Sequence, residues 1–247
     1  MAKSIICGIH AVESAVRNDP ENIGQIWLEK NSRNDRLKKL LQLVEDNGLR
    51  ISPMPADKLD KMAGNNRHQG IIAEYFKSKT YTENDLYDLL DGLEETPFLL
   101  VLDGVTDPHN LGACLRTAEG AGVHAVIAPK DNAVSLTPTV RKVASGAAEI
   151  VPFIPVTNLA RTLDTLKERG IWLTGTSDKA KQTLYQADLK GPMALVMGAE
   201  GTGIRRLTEE RCDYLISIPM NGQVSSLNVS VATGVCLYEA LRQRSKS

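Results

Sequence analysis

From Phe98 onward the chain repeats one pattern, a short run of nearly unbroken apolar residues followed by a segment with helical spacing. The runs are "FLLVLD", "HAVIAP", "EIVPFIPV", "IWLTGT", "MALVMG" and "YLISIP". Helical segments fall at 111–121, 138–147, 157–169, 204–211 and 226–244. Strands that are apolar on both faces need cover on both faces, and a helix after each strand supplies the crossover of a parallel sheet. The pattern predicts an α/β domain with a parallel sheet over 98–247. Ligands of such sheets bind beyond the carboxyl ends of the strands. A site is therefore expected in the residues that follow "VLD", "TGT", "VMG" and "SIP".

Residues 1–76 read as a second, smaller α/β unit. "SIICGIHAV", "IGQIWLEK", "LRISPM" and "QGIIAEYF" have strand character, while "RNDRLKKLLQLVEDNG" and "ADKLDKMAG" are helical. Between the two units, 77–97 forms an acidic linker. From Glu83 to Glu95 it carries six acids and no Lys or Arg, and it ends at Pro97. Leu86, Leu89, Leu90 and Leu93 give its middle a short helix; the rest is expected to be an extended, mobile tether.

Net charge is −1 over 247 residues, so any contact with nucleic acid must come from a local concentration of basic groups. Arg33, Arg36, Lys38 and Lys39 are such a cluster, and each is also compatible with a solvated helix face. No apolar stretch approaches the ~18 residues of a membrane span, and "MAKSIICGIHAV" lacks the features of a secretory signal. The expected location is cytoplasmic, without a membrane partner. Cys7, Cys114, Cys212 and Cys236 show no metal-ligand spacing. Cys114 and Cys236 sit on apolar helical stripes as buried free thiols, and no metal is expected.

Three loops draw attention. After "VLD", Pro108 ends extended structure, Asn110 is a candidate N-cap, and Leu111, Cys114, Leu115 and Ala118 make a buried helical face. Arg116 lies off that face. A helical side chain leans toward the residue four positions earlier, here Gly112, whose missing side chain would open a path for the guanidinium toward Asn110. A solvated surface arginine is the alternative. After "VMG", Gly198, Gly201 and Gly203 permit close backbone approach, and Glu200 is either a turn residue or a carboxylate placed in a ligand loop. The GxxGxG spacing fits neither a dinucleotide nor a P-loop motif. After "SIP", Ser226 is a candidate N-cap, whereas Asn228 inside the first turn of an apolar helix has no capping explanation. His109 adjoins the first loop and can face a substrate; His124 begins a strand and is structural.

"DPHNLGACLR", "LVMGAEGTGI" and "IPMNGQVSSLNVSVA" together resemble the three ordered motifs of the SpoU-type branch of the SPOUT RNA 2′-O-ribose methyltransferases. The match covers 98–245, and "GIHAVESAV" and "HQGIIAE" extend it over nearly the whole chain. Within that branch the chain most resembles bacterial enzymes that methylate a guanosine in the P-site loop of 23S rRNA. The resemblance implies S-adenosylmethionine as cofactor, a deep trefoil knot, a homodimer, and a ribosomal-protein-like RNA-binding fold for the first domain. It places cofactor contacts at Met197, Gly198, Ile218, Met220 and Leu227. It places the polar catalytic set at Asn110, Arg116, Glu200, Ser226 and Asn228.

A ribose hydroxyl is a weak nucleophile, so the reaction needs in-line positioning and a route for the proton. The resemblance gives that task to Arg116. With a pKa above ~12, Arg116 can instead bind phosphate and stabilise developing alkoxide. Glu200 would orient Arg116 or Asn110. The rival readings are the same reaction on tRNA or another rRNA nucleotide, and a catalytically silent RNA-binding protein.

Overall fold

A computed structural model describes residues 2–30, 35–64, 67–77 and 80–245. The chain divides into two compact units, 1–79 and 80–247.

The first unit is a four-stranded sheet with strand order β1-β4-β2-β3. Its strands are β1 (Ala2–Cys7), β2 (Ile23–Glu29), β3 (Ile51–Met54) and β4 (Ile71–Lys77). β4 runs antiparallel to β1 and β2, while β3 is parallel to β2. Helices α1 (Ile9–Asn18) and α2 (Asp35–Asp46) bury Val12, Val16, Leu40 and Val44 against Ile26 and Ala73. Helix α3 (Ala56–Ala63) packs Leu59 against Ile72. The "GIHAV" segment is helical rather than extended. Gly8, at φ +93°, breaks strand β1, and the buried residues Ile9, Val12 and Val16 then recur at helical spacing. Of the basic cluster, Lys38 and Lys39 are exposed on α2; Arg33 and the side chain of Arg36 lie outside the described residues.

The second unit holds a seven-stranded sheet in the order β7-β6-β5-β10-β8-β11-β9, parallel throughout. The strands are β5 (Phe98–Asp103), β6 (Ala125–Pro129), β7 (Phe153–Val156), β8 (Trp172–Thr176), β9 (Gln182–Thr183), β10 (Met193–Gly198) and β11 (Tyr214–Ser217). β5 is buried along its whole length, and its alternate residues enter two different cores. Leu100 and Leu102 join Leu195, Met197 and Ile216 beneath helices α5 (Pro108–Gly120) and α10 (Val229–Arg244). Leu99 and Val101 join Ala194 and Val196 beneath helices α4 (Glu83–Asp91) and α8 (Leu159–Glu168). This period-two division is what a sheet covered on both faces requires.

Two expectations fail here. The segment 149–152, read as the start of a strand, is not extended: Glu149 and Ile150 end a short helix α7 (Ala147–Ile150), and the strand starts only after Pro152, at Phe153. The acidic stretch 83–95 contains the expected short helix, but that helix is docked rather than carried on a mobile tether. Its helix α4 starts with a capping box from Thr82 and Asp85, buries Leu86, and is docked through Glu83. The Glu83 carboxylate accepts from Thr162 (2.7 Å), Tyr87 (2.9 Å) and Arg161 (2.9 Å). Burial works against its charge, but those three donors outweigh it and hold its pKa below the ordinary value.

The end of α10 is tied to the start of β5. Arg244 donates to the carbonyls of Pro97 (3.0 Å) and Leu189 (3.2 Å) and lies 4.5 Å over the Phe98 ring. Burial lowers its pKa from the ordinary arginine value. Cys114 and Cys236 are buried free thiols, pushed up by desolvation to about 11 and about 12. They are therefore protonated and inert at neutral pH. Among the described residues no helix is long and apolar enough to cross a membrane.

Candidate active site

Because β5 and β10 are neighbours, and β8 separates β10 from β11, the loops leaving three of these strands gather at one sheet edge. At the end of β5, Asp103 is 1% exposed and accepts the backbone N–H of Arg205 (3.0 Å). Its other oxygen has no hydrogen bond and lies 3.6 Å from the Arg205 guanidinium. The chain then turns into α5. Asp107, not Asn110, is the N-cap, accepting from the Asn110 N–H (2.9 Å). Pro108 takes the first helical position, where its missing N–H costs nothing. Asn110 thus sits in the first turn with its side chain free to point out of the loop.

β10 ends at Gly198, and residues 199–203 fold back on it. Ala199 and Gly203 exchange two backbone hydrogen bonds (3.1 and 2.9 Å), with Glu200 at the tip. Gly201 and Gly203 adopt φ +80° and +69°, which L side chains rarely tolerate. Gly198 is required for a different reason, since a Cβ there would overlap the backbone of Gly203 and Ile204.

The loop after β11 delivers the third group. Helix α10 starts at Val229, so the expected Ser226 cap is replaced by Asn228, whose Oδ1 accepts from the Ser230 N–H (2.9 Å). Asn228 is therefore a cap rather than an interior helical residue. Its Nδ2 remains free to donate to Asn110 Oδ1 (3.0 Å) and, at 3.4 Å, to Glu200 Oε2. Asn110 Nδ2 also donates to Glu200 Oε2 at 3.4 Å. One residue from each loop thus meets at a single point.

Beside this meeting point is a cavity of about 450 Å³. Met197, Gly198, Ile218, Met220 and Leu227 all line it, as do Glu200 and Ser226. Asn110, Asn228 and Arg116 do not line it. Arg116 is exposed on α5 and has no hydrogen bond or ion pair among the described residues. The path over Gly112 is closed, because a Cβ on Gly112 would lie 2.7 Å from Val143 Cβ and 2.8 Å from Val140 O. That glycine serves the close approach of α6 (Pro138–Ala144) to α5. Glu200 accordingly orients Asn110 and Asn228, not Arg116. His109 is exposed, and His124 is structural, its Nδ1 accepting from the Phe98 N–H (3.0 Å).

The sequence reading missed Thr176 at the end of β8, Ser177, Asp178 and Lys179 after it, and Glu209, all of which line the cavity. Ser177, Asp178 and Lys179 carried one signal, their position beyond "TGT", because short polar loop residues have no periodicity; Glu209, in a four-residue helix, carried none. Asp178, Glu200 and Glu209 against Lys179 give the lining an excess of negative charge.

The overlap at Gly198 generates a stability prediction. Gly198→Ala should cost about 1–3 kcal/mol, the range for overpacking. Gly222→Ala should stay within about 0.5 kcal/mol, since nothing lies within 4 Å of its added Cβ. Urea unfolding of both variants checks this; equal effects would mean that the 199–203 loop does not press on the strand end.

Two family models match the chain. The SpoU rRNA Methylase family matches 97–238, and the RNA 2′-O ribose methyltransferase substrate binding model matches 5–81. The 23S rRNA (guanosine-2′-O-)-methyltransferase RlmB of Ralstonia nicotianae is 58% identical, covering 99% of this chain and 98% of that protein. The protein of the same name from Pseudomonas aeruginosa is 55% identical, covering 97% and 96%. In fold, the chain is similar to the SpoU methyltransferase AviRb of Streptomyces viridochromogenes in complex with AdoMet. The TM-score is 0.64 at 23% identity, over 99% of this chain and 92% of that one. With one model spanning most of the second unit and near-complete relatives at this identity, the chain belongs to the SpoU rRNA methylase family.

Proposed function

We propose that this protein transfers a methyl group from S-adenosylmethionine to the ribose 2′-oxygen of a guanosine in 23S rRNA, with the P-site loop as target. The observation that carries this reading is the meeting of Asn110, Glu200 and Asn228 beside the cavity. The full-length similarity to the 23S rRNA methyltransferases supports the substrate.

The cavity suits the cofactor. Met197, Ile218 and Leu227 offer apolar surface to a purine. Gly198 offers its backbone without a side chain in the way, and Met220 lines the cavity beside it. The carboxylates of Asp178, Glu200 and Glu209 favour a cationic occupant over its neutral-sulfur product. When bound, the cofactor supplies an electrophilic methyl group on a positively charged sulfur. The chain's own residues do the rest. Glu200 and Asn228 hold Asn110 at the edge of the cavity. Ser226 lines the cavity wall. Arg116, exposed on α5 and without a hydrogen bond or ion pair among the described residues, binds the target phosphate and stabilises developing negative charge on the 2′-oxygen. An arginine side chain keeps its proton near neutrality and has no lone pair to offer as a base, so the 2′-hydroxyl proton leaves through water.

The reading includes a trefoil knot through the loops after β10 and β11, and a homodimer. The dimer is supported by Val231 and Tyr238, exposed large apolar side chains seven residues apart on α10 and hence on one helical face. Sedimentation at micromolar concentration should give a dimer; an active monomer would contradict it. The first unit, which matches the substrate-binding model, supplies RNA selectivity.

Incubation with labelled S-adenosylmethionine and unmodified 23S rRNA, followed by mapping of 2′-O-methylated nucleotides, should give a single modified guanosine. Arg116→Ala should abolish transfer while cofactor affinity, read by calorimetry, stays within a few-fold. Arg116→Lys should also fail, because a point charge cannot reproduce the planar fork. Loss of cofactor binding together with activity would remove Arg116 from the substrate side.

A further inference from the structure

The opposite end of the same sheet, where its strands begin, carries a second cavity, of about 350 Å³, that the methyl-transfer chemistry does not use. It opens where β8, β10 and β11 begin, one strand length, roughly 20 Å, from the cofactor cavity. We propose that this cavity takes an unpaired RNA base of the substrate, with guanine the best match. The proposal rests on the reading of the protein as an RNA methyltransferase.

Trp172 and Tyr214 stand at the cavity, 51% and 48% exposed, with ring centroids 5.6 Å apart and planes inclined by 33°. Aromatics make up only 4% of this chain, so two large ones left in solvent side by side require an explanation. Tyr185, in the adjoining turn, is a third at 62%. A base inserted between the two rings would need about twice the 3.4 Å stacking distance. The observed gap is smaller, so the base stacks on an outer face of the pair. Unpaired bases on aromatic side chains are the usual means of reading single-stranded RNA.

The floor and rim supply the edge contacts. Thr174 shares a sheet face with Trp172, two residues away, and is 3% exposed. Its hydroxyl has no hydrogen bond among the described residues and is available to an occupant of the cavity. Gln182 and Gln186 hold each other and the backbone through Gln182 Nε2 to the Gln186 carbonyl (3.2 Å) and Thr183 N–H to Gln186 Oε1 (2.9 Å). Gln182 Oε1 is left over as an acceptor and the Gln186 Nε2 amide group as a donor. Asp188 uses Oδ1 on the Lys190 N–H (3.1 Å) and keeps its other oxygen. Guanine presents two adjacent donors, N1–H and N2–H, next to the O6 acceptor. A carboxylate and amide carbonyl beside an amide N–H and a hydroxyl complement that edge. The exposed Lys181 and Lys190 adjoin the lining residues in sequence and can meet the flanking phosphates.

The chain has two tryptophans, Trp27 and Trp172, so Trp27→Phe makes Trp172 the sole reporter in the full-length protein. Unmodified 23S rRNA fragment should quench its fluorescence. Trp172→Ala should raise the KM for RNA about tenfold, with kcat and S-adenosylmethionine affinity unchanged, and Trp172→Phe should recover most of the loss. Gln182→Ala, on the rim, should raise KM in the same direction. An unchanged RNA KM in Trp172→Ala, while the wild type methylates normally, would overturn the pocket alone. Quenching by guanosine monophosphate but not by RNA would overturn RNA as the source. A wild type that neither binds nor methylates rRNA would instead remove the functional reading and the pocket with it.

Discussion

One carboxylate, Glu200, accepts from the side-chain amides of both Asn110 and Asn228, and those two amides bond each other. Asn110 and Asn228 lie 118 residues apart in the chain. They meet because β5, β10, β8 and β11 stand side by side and release their loops at one edge. Hydrogen bonds among partly exposed groups contribute only about 0.5–1.5 kcal/mol each, so this cluster does not hold the fold. The two cores on either face of the sheet do that. What the cluster supplies is orientation, with three loops of separate origin turned toward one point beside the cavity.

The supports behind the cluster are steric as well as polar. Gly198 lets residues 203–204 cross the strand end at backbone distance. The buried carboxylate of Asp103 fixes the far end of that loop through the Arg205 N–H. Gly112 brings α6 against α5, and the helix carrying Asn110 is thereby braced from behind. On α10 the Asn228 cap does two tasks with one side chain, its oxygen closing the helix start and its nitrogen reaching Asn110. That double use explains a polar residue which neither capping nor substrate binding alone would explain.

How much was legible in the sequence follows from burial. β5 and β10 are read to the residue because an unbroken apolar run between turn residues has one reading when both faces are covered. The "GIHAV" helix was misread since Ile9, Ala11 and Val12 also fit a short strand, and only the conformation of Gly8 separates the two. Both helix starts shifted by two or three residues because Asp107 and Asn228 outcompete the neighbouring caps. The role of Gly112 was beyond reach, as it depends on Val140 and Val143, which no local spacing connects to it. Asn110, Arg116, Glu200, Ser226 and Asn228 stand out in the loops after the strands, whereas the cofactor-side residues came through motif resemblance; those after β8 lie in a loop with no pattern to mark them.

The central claim is that Asn110 and Asn228 act as one unit in orienting the site, and a double-mutant cycle on kcat/KM for rRNA tests it directly. Asn110→Ala removes one partner; Asn228→Ser removes the amide donor while keeping a capping oxygen. If the residues act together, the double variant should be little worse than the poorer single variant, with a coupling energy of about 1 kcal/mol or more. Losses that add to within about 0.3 kcal/mol would mean that the two asparagines act independently, and would contradict the account.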